Sequence, residues 1–259
     1  MKAGKHTENN NIRESIQILA FEKLKLPGLI HFISCRTGGT SPHPYHSMNL
    51  GYQTGDSASN VSLNRQLLAD FLGIPLQQWI FCRQIHGSDI VTVSHSQIHS
   101  KSSREYTQLL PVADGLISEH KNLCLCILTA DCAPVLLYDP ERRVCAALHA
   151  GRRSITAGII ENCMSRLKTY WGSQSRSIFA GIGPSIEACC YLVDQLSFER
   201  YIQSSPAARQ ITNYKDNGSF RLDLASDIYS RLIVSGIPGK QIEIMKICTS
   251  CHDDMFYSY

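Results

Sequence analysis

The sequence predicts a mixed α/β (α+β) fold: a single-domain sandwich in which helices pack on a mixed β-sheet. Three observations carry this. Short apolar runs of strand length recur through the middle of the chain, and amphipathic segments of helical period stand among them. No linker-like stretch separates the two kinds of segment. A chain of 259 residues fits one large domain or two small ones. Without a linker or an internal repeat, one catalytic domain over 15–259 is expected. A polar, disordered tail over 1–14 precedes it, carrying Asn9, Asn10 and Asn11 in a row.

The elements follow in order. Asp56-Ser57-Ala58-Ser59 supplies N-cap candidates for a first helix, whose stripe is Val61, Leu68, Phe71 and Leu72 and whose stop is Gly73 with Pro75 beyond. Arg65 falls on that apolar face, either snorkelling to its edge or aimed inward to hold an anion. Strand patterns over Trp79–Ile85 and Asp89–Ser94 flank His86-Gly87-Ser88, a hairpin-like turn or short crossover. Asn122–Leu128 and Pro134–Tyr138 are continuous apolar runs, expected to be buried strands. Asp139-Pro140-Glu141 makes a turn, and Val144–Leu148 is the next strand. A helix is expected from Ile155 to Tyr170, closed by Gly172. A strand over Ser177–Ile182, a helix over Leu224–Val234 and a strand over Gln241–Ile247 complete the pattern. Ser94–Arg104 and Ser204–Ser219 are the most polar internal stretches and are expected to be surface loops.

Composition narrows the function classes. Hydrophobic residues make up 43% and charged residues 18%, which is ordinary for a globular domain. A net charge of +3 argues against nucleic acid or an anionic membrane as the main partner, whereas a small anionic substrate needs only one or two placed arginines. No run of eighteen apolar residues is present, and the first residues form no apolar core of a signal peptide. Eleven cysteines, an odd count set largely in apolar runs such as Leu123-Cys124-Leu125-Cys126-Ile127, fit a reducing compartment. A cytoplasmic protein is expected, as a monomer or small homo-oligomer.

Chemistry enters where polar residues interrupt the apolar strands. Gln84-Ile85-His86-Gly87 ends one strand, Thr129-Ala130-Asp131-Cys132-Ala133-Pro134 joins two, and His149-Ala150-Gly151 ends a third. Two imidazoles and one thiolate suit zinc, and three protein ligands leave a fourth position for water or substrate. Asp131 can orient a ligand from behind. The plainer alternatives are hydrogen-bonded structural histidines and a core cysteine.

Further segments accompany these ends. They are Ser47-Met48-Asn49-Leu50-Gly51 with Gly55-Asp56, Val61 to Asn64-Arg65, Ala113-Asp114-Gly115, Gly181-Ile182-Gly183-Pro184-Ser185-Ile186, Cys248-Thr249 and Phe256-Tyr257-Ser258-Tyr259. In this order, from about residue 30 to the end, they resemble the YfiH-type family of polyphenol oxidase (laccase-domain) proteins, also described as purine nucleoside phosphorylases. The resemblance implies a YfiH-like fold with zinc on His86, Cys132 and His149, and copper as the alternative ion. It places Asn49 and Arg65 near the substrate. It implies phosphorolysis of adenosine, inosine, guanosine or methylthioadenosine to base and ribose 1-phosphate, with adenosine deamination as a companion activity. The partners would be a purine nucleoside and phosphate, with no nucleic acid and no membrane. One departure stands out: where the family reads His-Ala-Gly-Trp-Arg-Gly, this chain has His149-Ala150-Gly151-Arg152-Arg153-Ser154. Arg153 matches and is a second candidate for holding an anion, against the plainer reading of an exposed first-turn arginine. With Asn49, Arg65 and Asp131 it completes the candidate substrate-binding set.

Other readings of the same residues are a cysteine hydrolase using Cys132 with a histidine, a copper-dependent polyphenol oxidase, and a non-catalytic zinc module. None of the ten histidines lies two residues from another, which disfavours a multicopper cluster. The closest pairs, His43 with His46 and His95 with His99, are expected on the surface. Cys35, Cys248 and Cys251 are candidate fourth ligands. Cys248-Thr249-Ser250-Cys251-His252 matches a haem-attachment pattern, but it is better explained as a strand end beside a polar tail. Cys189-Cys190 is expected in the core. Asp114 and Asp223 are each a cap, a turn or a catalytic residue.

Overall fold

The computed structural model describes residues 15–94, 111–204, the backbone of 214–215, and 219–259. The expected tail 1–14 lies outside them, as do His95, His99, most of the Ser94–Arg104 stretch and much of Ser204–Ser219.

Six strands form the central sheet: β1 (Ile90–Thr92), β2 (Gly115–Ser118), β3 (Ala133–Asp139), β4 (Val144–Ala150), β5 (Phe179–Ile182) and β6 (Ile242–Ile244). Their spatial order is β6-β5-β3-β4-β2-β1. The four inner strands pair antiparallel, while β1 joins β2 and β6 joins β5 in parallel, so the sheet is mixed as expected. β3 and β4 form the longest ladder, seven residue pairs from Ala133↔Ala150 to Asp139↔Val144.

Strand alternation assigns the two faces. Val135 and Leu137 of β3, with Val144, Ala146 and Leu148 of β4, face a core closed by helices α3 (Ile159–Trp171) and α5 (Leu224–Val234). Leu136 and Tyr138 face the other way, against Phe21 and Leu24. Phe21 lies flush on β5 because Gly181 has no Cβ; one placed there would stand 2.6 Å from the Phe21 ring. Helix α1 (Ala58–Leu72) belongs to a separate cluster with Ile16, Met48, Trp79 and Phe81.

Several boundaries differ from the sequence expectation. α1 ends at Gly73 in the left-handed region as read, but Phe71 is exposed and Leu67 takes its place in the buried stripe. The helix expected over Ile155–Tyr170 is two, α2 (Arg152–Thr156) and α3, because Gly158 turns the chain at φ +85°. Trp79–Ile85 and Asp89–Ser94 do not form a hairpin. Trp79–Ile80 pairs in parallel with Cys124–Leu125, and Ile90–Thr92 pairs with β2 in the main sheet. The apolar run Asn122–Leu128 therefore yields only a two-residue strand, and its side chains are half-buried between clusters. A helix that sequence periodicity did not reveal, α4 (Gln195–Ser204), follows the first strand of a small antiparallel sheet of Leu192–Val193, Ser219–Arg221 and Tyr214–Lys215. No described helix is long and apolar enough to cross a membrane.

Candidate metal centre

β3 and β4 run side by side, so the residue entering β3 and the residues leaving β4 meet at one end of the sheet. Cys132 immediately precedes β3, and His149 lies near the end of β4. The third participant, His86, arrives on the crossover between Trp79–Ile80 and β1. One potential ligand atom from each of the three lies within 4.8 Å of the other two. The imidazoles of His86 and His149 meet edge to face with centroids 4.7 Å apart. Burial grades across the group: His149 is 4% exposed, Cys132 is half-buried and His86 is exposed, so the centre opens to solvent on the His86 side.

Asp114 holds the arrangement together. It is fully buried and accepts backbone N–H groups from Ile85 at 3.1 Å, His86 at 2.9 Å and Gly87 at 2.7 Å. It also accepts from His149 Nδ1 at 2.8 Å, which leaves His149 Nε2 as the nitrogen with a lone pair for an ion. Burial alone would raise the Asp114 carboxyl, but the hydrogen bonds from His149, Gly87 and Ile85 outweigh it and hold it below the usual carboxylate range. The carboxylate thus fixes both the loop that carries His86 and the tautomer of His149. The sequence left Asp114 open as a cap, a turn or a catalytic residue; in the structure it instead orients His149 and the loop that carries His86. The other aspartate left open, Asp223, caps α5 by accepting from Ser226 N.

Two of the site residues sit in unusual backbone conformations. His86 has φ +60° and Asp131 φ +77°, the left-handed region that non-glycine residues seldom occupy. Gly151 is required for a different reason. A Cβ there would stand 2.5 Å from Cys132 Sγ and 3.3 Å from the His86 ring. The backbone of the β4–α2 turn therefore walls the cluster without filling it. A buried carboxylate–imidazole pair, an adjacent thiol and a second imidazole, kept clear by a glycine, make a donor set that fits one transition-metal ion.

The other sequence-selected residues divide. Arg153 is exposed and close enough to His86 to help depress its pKa, after the larger effects of burial and of His149. Arg152, standing where the family has Trp, donates from Nε to Tyr191 Oη at 3.3 Å. Asp131 turns away from the cluster: its carboxylate accepts Thr249 Oγ1 at 2.7 Å and Tyr259 N at 2.8 Å. Asn49 is buried and organises its own loop, donating to Thr54 and Asp56 and accepting from Gly51 N. Arg65 points inward, donates to the Leu50 carbonyl from Nε and Nη2, and lies over the Phe81 ring at 3.7 Å. Its guanidinium also faces Tyr52, so Arg65 does not snorkel. His43 and His46 are exposed, as expected. Cys35 is buried and joins no group of metal-ligating side chains among the described residues.

With this geometry established, a family model described as multi-copper polyphenol oxidoreductase laccase matches residues 30–259. The chain belongs to this family. Among relatives, purine nucleoside phosphorylase YlmD of Geobacillus stearothermophilus is 30% identical over 233 residues, covering 90% of this chain and 85% of YlmD. A purine nucleoside phosphorylase of Bacteroides thetaiotaomicron is 30% identical over 250 residues, covering 96% and 92%. Among solved structures, Bacillus licheniformis hypothetical protein YfiH superposes with a TM-score of 0.83 at 34% identity, covering 88% of this chain and 85% of that one. YlmD from Geobacillus stearothermophilus gives 0.81 at 29% identity, covering 90% and 86%. The YfiH-type resemblance and fold read from the sequence therefore stand.

Proposed function

We propose that the chain is a zinc-dependent purine nucleoside phosphorylase with adenosine deamination as a companion activity. The observation that carries this reading is the His86–Cys132–His149 cluster backed by Asp114, in a chain whose relatives are named for phosphorolysis. Three donors with one solvent-facing side favour an open, catalytic site over a closed structural one.

In phosphorolysis the bond from the anomeric carbon to the base nitrogen breaks, its electron pair leaves with the base, and a phosphate oxygen bonds to the anomeric carbon. Zinc held by His86, Cys132 and His149 would supply Lewis-acid polarisation at this centre. Asp114 keeps His149 in one tautomer and holds the His86 loop in place throughout. Arg153, exposed beside His86, meets the charge of the incoming phosphate. Asn49 and Arg65 enter as substrate-side residues by shaping the 49–56 loop, since their polar groups already serve that loop. Asp131 enters by holding the turn that presents Cys132.

The cysteine-hydrolase alternative requires a thiolate. Burial, with the charges of Asp131 and Asp114, pushes the Cys132 thiol up to about 11. Without a metal the thiol stays protonated at neutral pH, which makes Cys132 a poor free nucleophile.

The test is base release from inosine and adenosine by purified protein with and without phosphate. We expect phosphate-dependent release of hypoxanthine and adenine, falling on the order of 100-fold or more in His86→Ala. Base release independent of phosphate, or full activity after metal is chelated away, would overturn this assignment.

A further inference from the structure

The cysteines outside the catalytic cluster are not scattered. Cys189 and Cys190 follow the Gly183-Pro184 turn beyond β5, and Cys248 and Cys251 lie in the segment beyond β6. β5 and β6 are parallel neighbours, so both segments leave the sheet at the same end. The backbone laces them together past the strands. Ser185 N donates to Ile247 O, Thr249 N donates to Ser185 O, and Ser185 and Cys248 form a parallel bridge. Two motifs 58 residues apart in sequence thereby converge. All four sulfurs lie within 4.8 Å of one another, with Cys189 Sγ at 3.6 Å and Cys190 Sγ at 3.4 Å from Cys251 Sγ. The expectation that Cys189-Cys190 packs in the core is corrected: Cys189 and Cys251 are exposed, Cys190 is half-buried, and only Cys248 is buried.

We propose that Cys189, Cys190, Cys248 and Cys251 form a second metal site, a closed tetrathiolate centre for zinc.

Three features support it. Zinc–thiolate bonds of about 2.3 Å at tetrahedral angles place neighbouring sulfurs about 3.8 Å apart, close to the spacing seen here. The Cys248–Cys251 segment is a Cys-x-x-Cys turn. Backbone N–H groups of Glu187, Ser250 and Cys251 point at the Cys248 sulfur, as a bound thiolate requires. Arg221 donates to the carbonyls of Ala188 and Cys189, which rigidifies the opposite loop and brings a positive charge beside an anionic centre. Four thiolates leave no open position, so this centre is structural. It ties the 187–190 loop to the segment whose Thr249 reaches Asp131, next to Cys132. Zinc binds as the thiols release their protons.

The site is independent of the catalytic assignment and is tested by metal content. Reduced full-length protein is saturated with Zn2+, freed of unbound metal and analysed for zinc per chain. We expect about two zinc ions in the wild type and about one in Cys189→Ser/Cys251→Ser. His86→Ala/His149→Ala should also bind about one, with an absorption-edge signature of sulfur neighbours only, at about 2.3 Å. That double variant keeps the test decisive if the cysteine variant fails to fold. Cobalt(II) in place of zinc should give the same protein intense thiolate-to-metal charge-transfer bands. Overturning results are equal zinc content in the wild type and folded Cys189→Ser/Cys251→Ser, no zinc in folded His86→Ala/His149→Ala, iron in place of zinc in the isolated protein, or a disulfide between these cysteines that persists under reducing conditions mild enough to spare the fold.

Discussion

Asp114, itself fully buried, accepts four hydrogen bonds, three from successive backbone N–H groups and one from His149. Asp114→Asn keeps the shape but removes the charge and turns one acceptor into a donor facing those N–H groups. We expect zinc affinity to fall 10- to 100-fold, read by competition with a chromogenic chelator. We also expect a loss of about 2 kcal/mol in urea unfolding. Gly151→Ala tests the space itself. Its methyl would stand 2.5 Å from Cys132 Sγ, so we expect zinc retention to collapse while far-UV circular dichroism stays unchanged, at a stability cost of about 1–3 kcal/mol. The three metal-ligand candidates were legible in the sequence because each interrupts an apolar run at a strand end. Asp114 was not. It is 28 residues from His86 and 35 from His149, and its place depends on β2 pairing with both β1 and β4.

At the scale of elements, the break between α2 and α3 decides how Arg152 and Arg153 are presented. A continuous helix from Ile155 to Tyr170 satisfies the apolar period, yet Gly158 at φ +85° ends the first segment. Gly158→Ala should destabilise the fold by about 1 kcal/mol or more, seen as a lower urea midpoint at unchanged slope. Long buried strands and helices with a clear start or stop signal were readable: β3, β4, α1, closed by Gly73, and α5, capped by Asp223, fall within two residues of the sequence expectation. The two-residue strands Trp79–Ile80 and Cys124–Leu125 were not, because their length is set by neighbours distant in sequence, while the apolar pattern around them runs on. The convergence of the Cys189-Cys190 and Cys248–Cys251 motifs was hidden for the same reason. It follows from parallel pairing of β5 and β6, which no local pattern reports.

At the scale of the whole molecule, residues 249–259 fold back across the sheet end that bears the His86–Cys132–His149 cluster. Thr249 and Tyr259 grip Asp131, Tyr257 Oη donates to the Tyr45 carbonyl, and Arg36 donates to the Asp253 carbonyl while lying over the Tyr257 ring. Asp131→Ala should release this segment. We expect faster amide exchange over residues 248–259 and several-fold weaker zinc binding at the His86 centre, with the main sheet's protection unchanged.

Summed charge separates the two centres. Around a bound dication, the Asp114 carboxylate and a Cys132 thiolate would bring the His86–Cys132–His149 assembly to neutrality, which suits residues as enclosed as Asp114 and His149. A monovalent ion such as copper(I) would leave an uncompensated negative charge beside the sheet. Four thiolates around zinc carry a double negative charge, and that assembly sits at the rim, with Cys189 and Cys251 open to water and Arg221 alongside. With the proposed ions bound, the neutral assembly would rest on the buried Asp114 and His149, and the dianionic one would lie where solvent can screen it.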